Sequence, residues 1–306
     1  MKKGLIFSLV ILAVLLFISQ FFPPELRSGR EVFIVKNGFS VSEMSESLHV
    51  TGFLRNPKVF NAILKITGWE NQITPGGYLI SKSMSVFSLA KSFIESPSQK
   101  WIYIPEGLRE EEIAEKLKME LGWPEEEKEM FLERAKEGYL FPDTYLFPAD
   151  WTGEEAAERL EKEFISRFQE LGQGELSVEA VILASLVQRE AANESEMPLV
   201  AGIIKNREEK GMPLQIDATL QYLMGSEEDW WPWVYSEYKE IESPYNTYMH
   251  KGYPPTPICN SGEAALKSAL NPEKTDYFYY IHDSSGRIHC AKTYQEHLNN
   301  IKEYLW

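Results

Sequence analysis

The sequence is poor in cysteine, in clustered histidine and in positive charge. Cys259 and Cys290 are the two cysteines, and five histidines are scattered through 306 residues. No CxxC or HExxH spacing occurs, so no metal centre is expected. The cysteines allow either a disulfide, in an oxidising compartment, or two isolated thiols. Lys and Arg total 31 against 46 Asp and Glu, for a net charge of −15. That balance leaves no basic face to neutralise phosphates and argues against a nucleic-acid partner. No cofactor-lysine motif is visible and no cofactor is expected. Hydrophobic residues make up 43% and charged residues 25%, which suits a folded chain. At ~100–200 residues per domain, the length suggests about two domains.

A long apolar run opens the chain. Gly4 to Phe22 carries no charge over 19 residues, after Lys2-Lys3 and before Pro23-Pro24. As a helix it would measure roughly 28 Å, near the thickness of a bilayer core. The expectation is a cytoplasmic tail at 1–4, a single transmembrane helix at 5–22, and the remainder outside the membrane. A cleaved signal peptide fits less well: the run exceeds the usual ~7–15 apolar residues and lacks a small-x-small site.

Residues 177–194 are the stretch around which the chain is organised. Ser177 is placed to cap a helix, with Leu176 as staple. From Val178 to Val187 only Glu179 and Ser185 are polar, so this helix reads as buried. Glu190 lies three, four and seven residues after Val187, Leu186 and Leu183 and shares their face. A carboxyl desolvated there becomes a proton donor near neutral pH, which glycosidic-bond cleavage needs first. The structural alternative is a helix-end carboxylate paired with Arg189, Arg207 or water.

Two strand–turn–helix stretches follow the N-terminus. Val32-Phe-Ile-Val-Lys-Asn-Gly38 leads into a helix with Met44 and Leu48, and Trp101-Ile-Tyr-Ile-Pro-Glu-Gly107 leads into one with Ile113 and Leu117. Each is followed by a second helix and a Gly-Tyr-Leu, at 77–79 and 138–140, which suggests an internal repeat. The first, 31–95, resembles a LysM-like βααβ module, a fold associated with peptidoglycan glycan. The second, 100–150, leads into a larger domain at 151–306. There, Gly172-Gln-Gly174 joins a helix ending at Leu171 to the central one. A helix over Leu199–Lys210 follows with a stripe of Leu199, Gly202, Ile203 and Asn206. Asp217 is placed to cap the next helix. The 230–233 tryptophans, the proline-rich loop at 251–258 and a strand–turn–strand at 276–290 complete the chain.

The order of these motifs resembles the endolytic murein transglycosylase (YceG-like) family. The likeness rests on Glu137-Gly-Tyr-Leu-Phe-Pro-Asp-Thr-Tyr145, Leu183-Ala-Ser-Leu-Val-Gln-Arg-Glu190, Val200-Ala-Gly-Ile-Ile-Lys-Asn-Arg207, Leu214-Gln-Ile-Asp-Ala-Thr-Leu-Gln-Tyr222, Ser243-Pro-Tyr-Asn-Thr-Tyr248, Gly252-Tyr-Pro-Pro255-Thr-Pro-Ile258 and Lys292-Thr-Tyr-Gln-Glu-His297. Cys290 departs from the pattern, standing where an aromatic commonly follows the histidine, so no substrate contact is carried onto His289. The resemblance implies an α+β fold: a transmembrane helix, a LysM-like βααβ module and a mixed α+β catalytic domain. It puts Glu190 at the catalytic glutamate and implies cleavage of MurNAc–GlcNAc bonds within peptidoglycan strands to 1,6-anhydro ends. It also implies membrane attachment, a role in terminating nascent strands, and cell-wall synthases as partners.

Gln215, Asp217, Thr219, Asn246 and Tyr248 are the residues expected to position the sugar. Two rival readings stay open. One is a muramidase-type hydrolase using Asp217 or Glu194 as second carboxylate. The other is a non-catalytic peptidoglycan-binding anchor in which Glu190 is structural.

Overall fold

The computed structural model describes residues 2–171 and 176–305, so the glycine link at 172–174 lies outside the described residues. The chain divides into two compact units: Met1–Ile102 with Tyr145–Trp151, and Tyr103–Thr144 with Thr152–Trp306.

The first unit opens with helix α1 (Lys2–Ser19), followed by β1 (Arg30–Val35), α2 (Val41–Val50), α3 (Pro57–Thr67), β2 (Gly76–Ser81) and α4 (Val86–Ser92). Its remaining strands are β3 (Gln99–Tyr103) and β4 (Thr144–Pro148). Local chemistry sets the boundaries. Ser40 and Glu43 form a reciprocal capping box at the start of α2. Asn56 caps α3, Pro57 occupies its first turn, and Gly68 ends it at φ 72°. β1 and β2 pair antiparallel, with Phe33 opposite Tyr78. Phe33, Leu48, Phe60, Ile80 and Phe93 form the buried core beneath them.

One expectation about this unit, the membrane span, is corrected. α1 ends at Ser19, and Gln20–Phe22 leave the helix. The side chains of Ser19 and Gln20 both donate to the Leu16 carbonyl and close off the last turn. Among the described residues no helix is long and apolar enough to cross a membrane. The β1-α2-α3-β2 order is present, but β2 pairs onward to β3 in a four-stranded sheet of order β1-β2-β3-β4. The 31–95 segment thus contributes two strands to a four-stranded sheet.

The second unit begins with α5 (Glu110–Leu121) and α6 (Glu125–Arg134), which lie between β3 and β4 in the chain. The order β3-α5-α6-β4 repeats β1-α2-α3-β2, and Gly38 and Gly107 share a φ of 78° at matching turns. Then come α7 (Gly153–Glu170), α8 (Val178–Glu190), α9 (Met197–Glu209), α10 (Asp217–Met224), α11 (Glu263–Leu270), the hairpin β5 (Tyr279–His282) and β6 (Ile288–Ala291), and α12 (Tyr294–Tyr304).

α8 is the axis of this unit. Ser177 caps it by accepting from the Ala180 amide, and every residue from Val181 to Val187 is buried. Ser185, its one buried polar residue, donates to the Ile182 carbonyl at 2.7 Å and accepts from the Ile258 amide at 3.1 Å. Gln188 accepts from the Gly262 amide at 3.0 Å. These bonds fasten the 258–262 loop to one side of α8.

Asn260 joins three segments through that loop. Its amide donates to Leu108 O at 3.1 Å and Glu137 Oε1 at 2.8 Å, and its Oδ1 accepts from Leu140 N at 2.9 Å. Glu137, buried by this arrangement, is pushed well above the usual carboxylate range, with Glu110 adding to the effect. Cys259 and Cys290 are both free thiols.

α9 carries the route into the hairpin. Gly202 faces the Glu273 backbone so closely that a Cβ there would stand 2.1 Å from the Glu273 carbonyl oxygen. One turn on, Asn206 donates to the carbonyls of Thr275 at 2.8 Å and Tyr277 at 2.9 Å. The chain is thus laid along α9 and delivers β5 to the end of α8.

Candidate active site

Glu190 is the last residue of α8, partly buried at the negative end of the helix dipole. Its Oε2 accepts a 2.6 Å hydrogen bond from the Tyr280 hydroxyl on β5. Burial raises the Glu190 carboxyl above its ordinary range, against the lowering effect of that hydrogen bond. The Asp217 charge pushes with burial, while His282 and Arg189 oppose it. Arg189 does not pair with Glu190: its guanidinium stacks 3.6 Å from the Trp231 ring centre, and Trp231 Nε1 donates to Glu112 at 2.9 Å. His282 is engaged by Glu196 at 2.9 Å. Tyr280 is held fully protonated by burial and by the Glu190 charge, so it remains a donor at any physiological pH.

Glu190 opens onto a cleft of about 280 Å³. Arg207, Gln215, Tyr248, Tyr279, Tyr280, Tyr294 and His297 supply its polar and aromatic lining, over an apolar floor of Ile204, Leu214 and Ile216. Aromatic faces with a few polar groups suit the two-faced character of a sugar ring. The Tyr279 and His297 rings stack at 5.2 Å.

The structure brings three of the expected site residues to this cleft and places three elsewhere. Glu190, Gln215 and Tyr248 line it. Asp217 stands behind Tyr248, accepting its hydroxyl at 2.5 Å with Lys239 at 3.9 Å. It is the first residue of α10 and makes no side-chain cap, because Ile216 occupies the cap position. Thr219 and Asn246 are fully buried and serve the backbone. Thr219 Oγ1 donates to Ile216 O at 2.8 Å, beside the Thr247 hydroxyl. Asn246 donates to Lys239 O at 3.0 Å and Ile241 O at 2.8 Å, and accepts from Tyr248 N at 3.0 Å. Glu194 is exposed.

Sequence reasoning singled out neither Tyr280 nor Arg207 as a functional group of the cleft. In β5, Tyr280 and His282 alternate onto one face and each meets a carboxylate, Glu190 and Glu196. The alternation is visible in the sequence; the partners, 90 and 86 positions earlier, are not. His289, onto which no substrate contact was carried, pairs with Asp283 at 2.8 Å and stacks on Tyr304 at 3.6 Å.

The sequence profile of the YceG-like family matches residues 33–303. The chain belongs to the YceG-like family. An endolytic murein transglycosylase of Bacillus subtilis is 28% identical over 318 residues, spanning 92% of this chain and 87% of that protein. A protein of the same name from Streptococcus pneumoniae is 26% identical over 336 residues, with 92% of this chain aligned to 60% of the longer relative. A crystal structure of a YceG-like protein from Listeria monocytogenes superposes with a TM-score of 0.55 at 25% identity, covering 89% of this chain and 99% of that one. The YceG-like match takes in both units and every residue of the cleft.

Proposed function

We propose that this chain is a lytic transglycosylase that cleaves within peptidoglycan glycan strands, with Glu190 as its single acid and base. The names of the Bacillus and Streptococcus relatives support the substrate class. The observation that carries the chemistry is the environment of Glu190: a carboxyl raised by burial, at a helix C-terminus, with one oxygen held by Tyr280.

The protonated Glu190 gives its proton to the glycosidic oxygen as the C1–O bond breaks. Because Tyr280 donates to Oε2, the transferable proton resides on Oε1. The carboxylate left behind keeps the Tyr280 hydrogen bond, which is stronger to the anion than to the acid. It then takes the proton of the muramyl C6 hydroxyl as that oxygen closes onto C1. The product is a 1,6-anhydro ring, no water is consumed, and Glu190 returns to its acid form. A hydrolase would need a second carboxylate beside the cleft. Asp217 is instead occupied by Tyr248 and Lys239, which supports the one-carboxylate route.

Such an enzyme works outside the cytoplasmic membrane, where its polymer lies, and cleavage within growing strands would end them near the synthases that extend them. Glu190→Gln, near-isosteric and unable to donate an acid proton, is expected to abolish release of fragments from purified glycan strands. Undiminished release by a folded Glu190→Gln protein contradicts the assignment.

A further inference from the structure

Tyr280 reaches Glu190 from a strand with little support of its own. β5 has four residues, each only partly buried, and among the described residues it pairs with β6 alone. A two-stranded hairpin is marginal in water without further anchors. A hydrogen bond of 2.6 Å is lost once its atoms part by about 1 Å more. The Tyr280 contact therefore demands that β5 be placed closely. On one face of the strand, Tyr279 meets the rings of Tyr294 and His297 in α12.

The other face carries two polar contacts. Tyr280 donates to Glu190, and His282, two residues on, stands with Nε2 2.9 Å from Glu196 Oε2. A carboxylate offers only acceptors, so the His282 ring donates from Nε2. The two contacts lie about 7 Å apart along the strand. One bond alone would let β5 pivot; the pair fixes its direction as well as its place.

Glu196 is not used by its own helix. It ends the turn Glu194–Glu196 between α8 and α9 and occupies the cap position of α9, yet its side chain makes no capping bond. The free amides of a helix start ordinarily attract such a carboxylate. The Glu196 side chain, 13% exposed, turns instead to His282, 86 positions away. The rings of Tyr280 and His282 meet edge to face at 5.9 Å, so a shift of one is passed to the other.

We propose that His282 and Glu196 are positioning residues of the reaction: their contact holds β5 so that the Tyr280 hydroxyl stays on Oε2 of Glu190. Neither touches the reacting atoms. Without this clasp β5 pivots, the Tyr280 bond lengthens, and Glu190 loses the donor that leaves Oε1 to carry its proton. The inference rests on the glycan-cleaving reading above, and part of its test needs no turnover. Four charged or polar neighbours act on the buried Glu190 carboxyl: Tyr280, His282 and Arg189 lower it, and Asp217 raises it. The charge of His282 must therefore be separated from its contact.

A double-mutant cycle with Tyr280→Phe makes that separation. His282→Ala is expected to lower kcat on purified glycan by about fivefold to tenfold, with KM within about twofold of wild type. In the Tyr280→Phe protein the same substitution changes kcat by less than about twofold, because no hydroxyl remains to be positioned. His282→Gln keeps a donor near the place of Nε2 without the charge, and restores most of the wild-type rate. Glu196→Ala breaks the clasp from the α9 side and matches His282→Ala; it replaces that variant if the alanine protein does not fold. Carbon-13 NMR of labelled glutamate reads the resting protein. There His282→Ala raises the Glu190 titration midpoint by more in the wild type than in Tyr280→Phe. Independent effects of the two substitutions in either readout overturn the proposal. So do wild-type kinetics in His282→Ala, a raised KM with unchanged kcat, and a His282→Gln rate no better than that of His282→Ala. Coupled midpoints in a protein that cleaves no glycan overturn only the reaction assigned to Glu190.

Discussion

The Tyr280 hydroxyl lies 2.6 Å from Glu190 Oε2 and ties the hairpin of the second unit to the end of its central helix. The contact decides which carboxyl oxygen carries the proton, and it opposes the upward push of burial. Tyr280→Phe removes one donor and little volume. The Glu190 carboxyl then rises further, so the limb on which activity falls with increasing pH moves to higher pH. The maximal rate drops by about tenfold, because the anion formed on proton transfer loses a charge-assisted hydrogen bond worth roughly 1.5 kcal/mol. A pH–rate profile of Tyr280→Phe on purified glycan checks both. An unshifted limb would show that Tyr280 only packs.

Glu110 gives stability its own pH dependence. Burial pushes this carboxyl up to about 7, with Glu111 adding and Arg109 opposing. A raised carboxyl contributes stability that is fully present below its unfolded value near 4.5 and lost as pH rises through about 7. Glu110→Gln is therefore expected to stabilise the chain at pH ~8 by on the order of 1–3 kcal/mol and to have little effect at pH ~5. Urea unfolding midpoints at the two pH values measure the difference, and an equal change at both removes Glu110 as the cause.

Thr219 and Asn246 hold the loop that presents Gln215 and Tyr248, and neither touches the cleft. Thr219→Val should cost about 1 kcal/mol through its lost bonds to Ile216 and Thr247. Asn246→Ala should cost more, about 2–4 kcal/mol, since two carbonyls and one amide lose their partner. Melting curves report the losses. A large rise in KM with unchanged melting would return these residues to the substrate.

Gly202 lets the chain at Glu273 lie against α9 on its way to Tyr280. A Cβ there meets backbone at 2.1 Å, so Gly202→Ala must displace the 273–277 segment. The expected cost is about 2–3 kcal/mol, together with reduced activity from a misplaced Tyr280. Wild-type melting and turnover in Gly202→Ala would mean the segment moves freely.

The sequence made local features plain and long-range pairings invisible. The Ser177 cap and the apolar stretch from Val181 to Val187 announce a buried α8, and Glu190 follows from counting along it. The stripe of Leu199, Gly202, Ile203 and Asn206 marks one face of α9, and its glycine leaves room for a close neighbour. That its neighbour is the backbone at 273–277, and not another helix, depends on contacts about 70 residues away. Thr219 and Asn246 share their polarity with sugar ligands and with buried linchpins, and only burial separates the two. The apolar run at the N-terminus read as one span to Phe22, yet side-chain bonds to Leu16 end its helix at Ser19. Tyr280 was the largest omission, because a tyrosine in a short strand carries no local sign of the carboxylate it meets.

Digestion of purified peptidoglycan strands in heavy-oxygen water tests the one-carboxylate mechanism most directly. Mass spectrometry of the released fragments should find 1,6-anhydro ends without the heavy isotope, since the ring oxygen comes from the muramyl C6 hydroxyl. Fragments with reducing ends that carry the heavy isotope at C1 would show that water is the nucleophile, and would contradict the assignment of both acid and base roles to Glu190.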